Sequence, residues 1–216
     1  DSEEDVSSLK GLDDFSRVGE YYMLAVEPAE QGYNASYIYC DEETMYIARD
    51  QMKLLEGRLP QKEDEVAVSR YFLSNYAADA GIGEKVMLSS ESFHGEYTVT
   101  GIMEGYKEKE VNGSSILLSK EALKGWSGYD PADYRAYVHF KNEQQMDETE
   151  LTARSREIAK EYQLEMPIMN LSYMKFYKQP VNVSMLALVA GIAVLVIIGG
   201  YVVIPVSYTH LRAHET

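Results

Sequence analysis

Residues 185–204 read MLALVAGIAVLVIIGGYVVI and contain no charged side chain. At about 1.5 Å per residue, a helix of this length reaches roughly 30 Å, the thickness of the hydrocarbon core of a bilayer. Twelve of these residues are Leu, Ile or Val. Their favourable free energy of membrane insertion outweighs the unfavourable contribution of three glycines and one tyrosine. The alternative is a buried helix of a soluble core, which this length without a polar face disfavours. The stretch predicts a transmembrane helix over 181–204, with the preceding residues forming a domain on one side of the membrane.

The charge of the chain lies entirely outside this stretch. Residues 1–180 carry 34 Asp and Glu residues against 19 Lys and Arg residues, which accounts for the net charge of −15. Such a surface repels nucleic acid and anionic lipid headgroups, so nucleic-acid binding is excluded as a main activity. Eighteen tyrosines against five phenylalanines favour a wet, amphipathic surface outside the cytoplasm.

Cys40 is the only cysteine of the chain. A single cysteine excludes an internal disulfide and any metal site built from several cysteines. It does not decide the compartment, because disulfide-poor domains occur both in the cytosol and on the exterior of some bacteria.

The two ends of the sequence carry their own expectations. The chain opens on Asp1 without an initiator Met or a signal peptide, so we expect an upstream part to be missing. Residues 205–216, PVSYTHLRAHET, resemble translated adaptor or vector DNA, and we expect a non-native tail there. The pair His210 and His214 is therefore given no functional meaning.

Residues 1–20 are polar and acidic, with apolar residues at every third position. This weak helical pattern predicts a membrane-proximal stalk over 1–20. The pattern consists of Leu9, Leu12, Phe15 and Val18.

Residues 21–180 alternate between strand-like and helix-like patterns without a run of long βαβ units, which predicts one α+β domain. Ser69 and Asp147 have side chains that cap helices, and Asp147 with Glu150 forms a capping box. Gly81 is predicted as the left-handed stop of the helix that Ser69 begins. The predicted strands are 21–26, 36–40, 65–69, 86–88, 97–102, 114–118, 134–140 and 166–168, and the predicted helices are 70–80, 119–125 and 147–162.

Two segments of this domain have no clear helix or strand pattern. Residues 41–55 fit a helix and a strand equally well, and residues 104–113 are charged and bounded by glycines, which predicts a mobile loop. The predicted core consists of Val66, Val68, Leu73, Val86, Val99, Ile102, Leu117, Val138 and Ile158.

The middle of the chain contains an ordered series of short motifs: LLEGRLPQKEDEVAVSRYFLSNY, then GIGEKVML, then EYTVTGIME. The series resembles the extracytoplasmic core domain of FtsX/MacB-type ABC-transporter permeases. The matching positions are Gly57–Pro60, Glu65–Ser69, Gly83–Lys85 and Val99–Ile102. Because the later strand, helix and apolar stretch keep the family's order, the resemblance covers roughly residues 20–204.

The resemblance implies a single extracytoplasmic, mixed sheet-and-helix domain at 21–180, inserted between a first and a second transmembrane helix of a cell-membrane protein. Residues 1–180 are then expected outside the cytoplasm. It implies a cytoplasmic ABC ATPase, a second permease copy or paralogue, the lipid bilayer and an extracytoplasmic protein as partners. It implies no cofactor. The loops are shorter than those of better-known periplasmic members, and the substrate stays open.

The sequence contains no pattern for catalysis. It has no Gly-x-Ser-x-Gly elbow, Walker lysine loop or paired cysteines, and the histidines at 94 and 139 match no zinc-hydrolase spacing. The turn at Gly81–Lys85 lacks the third glycine and the following Ser or Thr of a phosphate loop. Adjacent carboxylates at 41–43 and 63–65 are candidate cation ligands, although such runs more often form solvated loops. The sequence therefore predicts no catalytic, cofactor-binding or metal site, and no enzyme.

Other patterns concern the surface and the span. Four Asn-x-Ser triplets would accept glycans in a eukaryotic secreted protein, which the bacterial resemblance disfavours. Lys175 and Lys178 lie beside aromatic residues ahead of the span and predict an interfacial anchor. Small residues on one face of the span suit close helix packing. The triplets begin at Asn34, Asn112, Asn170 and Asn182, and the small residues are Ala187, Gly191 and Gly199.

Three functions remain for such a chain. The first is a non-catalytic permease subunit that couples ATP hydrolysis by a partner to export or to extracytoplasmic mechanotransmission. The second is the ligand-binding ectodomain of a membrane-anchored sensor, and the third is a membrane-anchored enzyme, for which no motif exists. The native sequence beyond Ile204 separates them, since further spans indicate a permease and a signalling module indicates a sensor.

Overall fold

A computed structural model describes residues 2–105, 108–165 and 167, and within them one mixed sheet of eight strands carries the fold. The strands are β1 (Phe15–Pro28), β2 (Asn34–Cys40), β3 (Met52–Gly57), β4 (Glu65–Ser69), β5 (Lys85–Ser89), β6 (His94–Gly105), β7 (Gly113–Leu118) and β8 (Arg135–Phe140). The helices are α1 (Glu3–Leu9), α2 (Glu42–Ile47), α3 (Arg70–Tyr76), α4 (Glu108–Val111), α5 (Lys120–Gly125) and α6 (Glu148–Glu161).

The strands are connected by hairpins and by crossovers. Their order is β3-β6-β4-β7-β2-β1-β8, and β5 pairs with β6 outside this path. β2 is parallel to β7 and β4 is parallel to β6, whereas the other pairs are antiparallel. This combination of a mixed sheet with short helices confirms the predicted α+β class.

One face of the sheet packs against α2. Alternate residues of a strand point to the same face, so Ile38 and Cys40 of β2 lie on this face together with Tyr21 of β1, which pairs with Cys40. Each large apolar side chain buried here contributes about 1.5–3 kcal/mol. Burial raises the pKa of the Cys40 thiol to about 12, so this thiol is unreactive at neutral pH. The cluster consists of Tyr21, Ile38, Cys40, Met45, Ala48, Met52, Ala67, Met103 and Leu117.

The opposite face is rich in tyrosine. Tyr37 alternates with the residues of the apolar cluster and therefore points to this second face. The hairpin of β5 and β6 reaches the same place, because Phe93 lies 4.3 Å from the Tyr37 ring centre and Ser90 donates a hydrogen bond to the Tyr37 hydroxyl at 2.7 Å. Trp126, just after α5, stacks on Phe93 with ring centres 6.2 Å apart. The hairpin thus links the far strands of the sheet to its centre.

The helix starts follow the local capping chemistry. The Ser69 hydroxyl accepts a hydrogen bond from the Phe72 N–H at 3.0 Å, and Asp147 with Glu150 forms the predicted capping box at α6. The predicted helix stop at Gly81 is wrong. α3 already ends at Tyr76, because Ala77 leaves the helical conformation at φ −152° and ψ 52°.

The predicted helical stalk over residues 1–20 differs from the structure. α1 is helical, but the chain is a β-strand from Phe15 onward, and both Val6 and Leu9 are buried. The apolar residues that suggested one helix belong to two elements, because Leu9 lies in α1 whereas Phe15 and Val18 lie in β1. Residues 2–20 are therefore part of the folded domain, and whether they also lie near a membrane stays a prediction.

Two glycines of the matched motifs allow β3 and β6 to approach each other closely. Gly57 pairs with Gly101 across the two strands. A Cβ at Gly101 would lie 2.5 Å from the Arg58 carbonyl oxygen, and one at Gly57 would overlap the Thr100 carbonyl oxygen. Gly57 also has φ +77°, which residues with a side chain rarely adopt. Both positions thus require glycine.

The remaining predictions have mixed outcomes. The open segment 41–55 contains a helix, α2, followed by a strand, β3, and the predicted loop 104–113 contains α4. In the predicted core, Ile102 and Val138 are only half-buried, whereas the other seven residues are buried.

Several predictions lie outside the described residues. These are the span over 181–204, the tail at 205–216, the lysines of the interfacial anchor and the strand at 166–168, of which only Pro167 is described. Among the residues that the structure describes, no helix is both long and apolar enough to cross a membrane.

Candidate functional site

Glu20, in the middle of β1, has a buried carboxylate with two cationic partners. Its two oxygens are shared between two lysines: Lys10 Nζ lies 2.6 Å from Oε1 and Lys120 Nζ lies 2.7 Å from Oε2. The Tyr39 hydroxyl donates a third hydrogen bond to Oε2 at 3.2 Å. Glu20 therefore joins the strand to the segment after α1 and to the first residue of α5.

Glu3 extends this arrangement to α1. Its carboxylate lies 2.7 Å from Lys120 Nζ and 3.3 Å from Lys124 Nζ, and its backbone N–H donates to the Pro131 carbonyl at 3.2 Å. A capping box between Ser2 and Asp5 fixes the start of the helix, and Glu3 follows directly in the first turn. We call Glu3, Lys10, Glu20, Lys120 and Lys124 the ionic cluster.

Burial and hydrogen bonding compete within the ionic cluster. Burial alone would raise the pKa of Glu20, but the hydrogen bonds from Lys10 and Lys120 outweigh it and hold that pKa below its ordinary value. The hydrogen bond from Lys120 likewise lowers the pKa of Glu3. Burial would lower the pKa of Lys120, yet its two carboxylate partners raise it. All three groups are therefore charged at neutral pH, and the cluster provides a connection between elements rather than an acid or base for catalysis.

The start of β1 and the segment before it are joined to β8 and α6. Phe15, which begins β1, pairs with Phe140, which ends β8, and their ring centres are 4.9 Å apart. The Asp14 carbonyl accepts the Lys141 N–H at 2.9 Å, and the Asp14 carboxylate accepts the Nε–H of Arg154 in α6 at 2.9 Å. The segment that follows α1 is thus tied to the last helix of the domain.

A second charged contact holds the turn of the matched motif. Arg58 donates two hydrogen bonds to the Glu65 carboxylate, at 2.8 and 2.7 Å, and the backbone N–H of Gln61 donates a third at 2.9 Å. These bonds lower the pKa of Glu65 to about 2. The contact closes the turn from β3 to β4, which gives the Gly-Arg-x-Pro and Glu-Val motifs a structural role.

Three of the candidate cation ligands make other contacts in the structure. Asp41 caps α2 by accepting the Thr44 N–H at 2.8 Å, and Glu43 pairs with Arg17 at 2.7 Å. Of the second run, Glu65 is engaged by Arg58, while Glu63 and Asp64 are exposed. Within 2–105, 108–165 and 167, no three potential ligands are grouped as a metal site requires.

The other predicted positions are also accounted for where they are described. Gly81–Lys85 forms a turn in which the Glu84 N–H donates to the Gly81 carbonyl at 3.1 Å. His94 is exposed at the start of β6, and His139 lies in β8 with Nδ1 4.0 Å from the Glu143 carboxylate. Of the four Asn-x-Ser positions, 34 and 112 are described, and the Asn112 side chain accepts hydrogen bonds from two tyrosines.

Sequence reasoning missed the ionic cluster. Glu20 and Lys120 are 100 residues apart, so no local pattern connects them. One signal was present: Glu20 is a single acid in the run Val18-Gly19-Glu20-Tyr21-Tyr22, where an otherwise apolar strand requires a partner for the charge.

Comparison with known proteins agrees with this architecture. No family model matches the chain, and no curated protein matches its sequence. Among solved structures, the chain is similar to the extracellular domain of the noncanonic ABC-type transporter YknZ from Gram-positive bacteria. That similarity has a TM-score of 0.54 at 16% identity and covers 79% of this chain and 89% of that one. The described residues have the fold of a MacB-type permease ectodomain.

A second solved structure supports the same fold. The periplasmic region of MacB from Actinobacillus actinomycetemcomitans gives a TM-score of 0.50 at 14% identity, covering 81% of this chain and 80% of that one. The resemblance noted for the motifs between 54 and 104 is thereby confirmed at the level of the fold. In this fold, the matched motifs form the β3–β4 turn, the cap of α3 and the close contact between β3 and β6.

Proposed function

We propose that this chain is part of a permease subunit of an ABC transporter, and that its MacB-type domain lies outside the cytoplasm. The domain would transmit movement that ATP hydrolysis by a separate cytoplasmic ATPase produces in the membrane-spanning helices. The fold supports this function, because the two solved structures are described as the extracellular domain of an ABC-type transporter and the periplasmic region of MacB.

One observation carries the proposal. The segment between α1 and β1 is joined to α6 through Asp14 and Arg154, and β1 is joined to β8 through the Phe15–Phe140 pair. The ionic cluster then fixes α1 to β1 and α5. Movement of a transmembrane helix that precedes α1 or follows α6 would therefore be transmitted to the whole sheet, which would move as one body.

The proposal extends to the partners. A cytoplasmic ABC ATPase would provide the energy, a second permease copy or paralogue would complete the transporter, and the predicted span over 181–204 would anchor the domain in the bilayer. The domain itself would perform no catalysis, and its output would be export or a mechanical signal to an extracytoplasmic protein.

A reconstitution tests this function. The full-length protein is reconstituted in nanodiscs with the ATPase encoded beside its gene, and ATP turnover is measured for the complex, for each subunit alone and for a complex with Lys120→Met. We expect turnover only when the ATPase is present, together with an ATP-dependent change in the distance between spin labels on α6 of the two permease copies. The distance between labels on α1 and α6 of one copy should stay constant, and Lys120→Met, which removes part of the ionic cluster, should reduce the change between the copies. Turnover by the permease chain alone, or an adjacent gene for a signalling module instead of an ATPase, would contradict the proposal.

A further inference from the structure

Glu108, the first residue of α4, has a carboxyl group that is buried against the sheet. The side chain is 7% exposed, and its Oε1 accepts the Ser115 N–H of β7 at 2.7 Å. β4 pairs with β7 only as far as Ile116, which directly follows Ser115. The carboxyl group therefore satisfies a backbone donor next to the point where β4 and β7 stop pairing.

Gly105, the last residue of β6, allows this carboxyl group to approach the sheet. A Cβ at that position would lie 2.5 Å from Glu108 Cδ and 2.6 Å from Oε1. Ser69, the last residue of β4, is buried and also contacts the carboxyl group through its side chain. The same hydroxyl accepts the Phe72 N–H at the start of α3. One carboxyl group thus connects α4 to the ends of β4, β6 and β7 and to the cap of α3.

The surroundings of this carboxyl group are polar but not cationic. Within residues 2–105, 108–165 and 167, no Lys, Arg or His forms an ion pair with Glu108. The charged residues nearest in sequence on the neighbouring elements are Glu104 in β6, Arg70 in α3 and Lys109 in α4, and all three are exposed. Because residues of a strand alternate between its faces, Glu104 points away from the face that Gly105 opens. The contacts of the carboxyl group are therefore with hydroxyl and backbone N–H groups.

This site favours the neutral form of the carboxyl group. Burial raises the pKa of Glu108, and its hydrogen bonds, chiefly the one from the Ser115 N–H, offset that rise only in part. A group with a raised pKa in the folded state stabilises that state fully below its ordinary value, here 4.5, and loses this contribution as the pH rises through the raised value. The contact of α4 with the sheet is thus more stable in acid, because a buried charge without a cation is costly.

We propose that Glu108 is a pH-sensitive latch, which holds α4 against the ends of β4, β6 and β7 while its carboxyl group is protonated and releases α4 when the proton is lost to water. Release removes the partner of the Ser115 N–H. It also loosens Asn112, which directly follows α4 and accepts the hydroxyls of Tyr71 and Tyr76. The latch thereby couples the pH of the surrounding solution to the contacts between α4, α3 and the sheet. This inference goes beyond the proposed function and does not depend on it.

Amide hydrogen exchange at Ser115 tests the latch on the full chain in phosphatidylcholine nanodiscs. Exchange is measured residue by residue from about pH 4 to about pH 8 and is corrected for its intrinsic pH dependence. We expect the protection of Ser115 to fall by more than about threefold as the pH rises, whereas that of Leu117 in the same strand should not fall. The pKa values of Glu3, Glu20 and Glu65 are lowered, so these groups strengthen the fold as the pH rises and do not cause such a fall.

Two variants complete the test. Glu108→Gln keeps the acceptor oxygen and does not ionise, so the protection of Ser115 should vary by less than about twofold over the same range. The matched control is Glu104→Gln, which removes an exposed carboxylate from β6 and should show the same fall as the native chain.

Constant protection of Ser115 in the native chain would overturn the proposal, whichever variants fold. An equal fall in Glu108→Gln, or loss of its protection at every pH while Leu117 stays protected, would overturn it as well. A parallel fall at Leu117 in the native chain would do the same, because the whole strand would then open. The measurement needs no ATPase and no membrane orientation, so its failure is distinguishable from failure of the proposed function.

Discussion

Replacing Lys120 by methionine tests the ionic cluster most sharply. Methionine keeps the length of the apolar stem and removes the ammonium group that binds both Glu3 and Glu20. The Lys120 side chain is 35% exposed and that of Glu20 is 10% exposed. The substitution should therefore reduce the free energy of unfolding by an amount between two limits. Breaking an exposed ion pair costs about 0.2–1 kcal/mol, and removing one partner of a fully buried pair costs about 3–5 kcal/mol. Because Lys10 still binds Glu20, we expect about 2 kcal/mol.

The domain contains its own probe for this measurement. Trp126, the only tryptophan, stacks on Phe93, so its fluorescence reports unfolding of the full chain in a zwitterionic detergent. A loss of about 2 kcal/mol lowers the melting temperature by about 4–8 °C for a domain of this size. Lys85→Met is the matched control, because Lys85 pairs with Glu96 at 2.9 Å on the surface, and it should leave the melting temperature nearly unchanged.

The pH dependence gives a second check of the same substitution. The pKa values of Glu3 and Glu20 are lowered in the folded protein, so their contribution is complete above the ordinary value of 4.5 and is lost as the pH falls through the lowered values. The difference between the native chain and Lys120→Met should therefore narrow below pH 4.5. Equal effects of Lys120→Met and Lys85→Met at pH 7, or a difference that does not narrow in acid, would refute the account of the cluster.

Three further predictions concern the fold. Glu65→Gln should lower the melting temperature at pH 7. Because Arg58 holds the pKa of Glu65 at about 2, this effect should disappear as the pH falls from 4.5 towards 2. An effect that stays constant over this pH range would contradict the prediction. Val68→Asp places a charge at a fully buried position and should reduce the free energy of unfolding in urea by more than about 3 kcal/mol. Lys62→Ala should change it by no more than about 0.5 kcal/mol. Similar small effects of both variants would contradict the burial of β4. Gly101→Ala should destabilise the domain by about 1–3 kcal/mol, since its Cβ would lie 2.5 Å from the Arg58 carbonyl, and an unchanged unfolding midpoint would contradict this packing.

The features that the sequence predicted correctly depend on near neighbours. β4 has the predicted bounds, 65–69, and the capping residues at 69, 119 and 147 begin the predicted helices. In each case, the chemistry that decides the structure lies within four residues. Gly81 shows the limit of this reasoning. The helix already ends before it, where Ala77 leaves the helical conformation, and Gly81 instead lies in the turn that follows.

The features that the sequence did not reveal depend on distant contacts. The apolar residues at 9, 12, 15 and 18 fit a helical period, yet the pairing of β1 with β8 makes the last two part of a strand. Lys120 gave no local sign of its role, since its partners belong to α1 and β1. The resemblance to permease ectodomains is visible in the sequence because its motifs are turns and caps, which depend on residues close together in the chain.

The location of the domain is the central claim, and accessibility to a reagent in intact cells tests it most directly. The native-length protein is prepared with Cys40→Ala and Lys62→Cys, because residue 62 lies in the exposed loop before β4 and Cys40 is buried. Intact cells are treated with a membrane-impermeant maleimide, and a cytoplasmic cysteine protein in the same cells serves as the control. The account predicts labelling at position 62 before lysis, while the control stays unlabelled. Labelling at position 62 only after the cells are broken would place the domain in the cytoplasm and contradict the permease assignment.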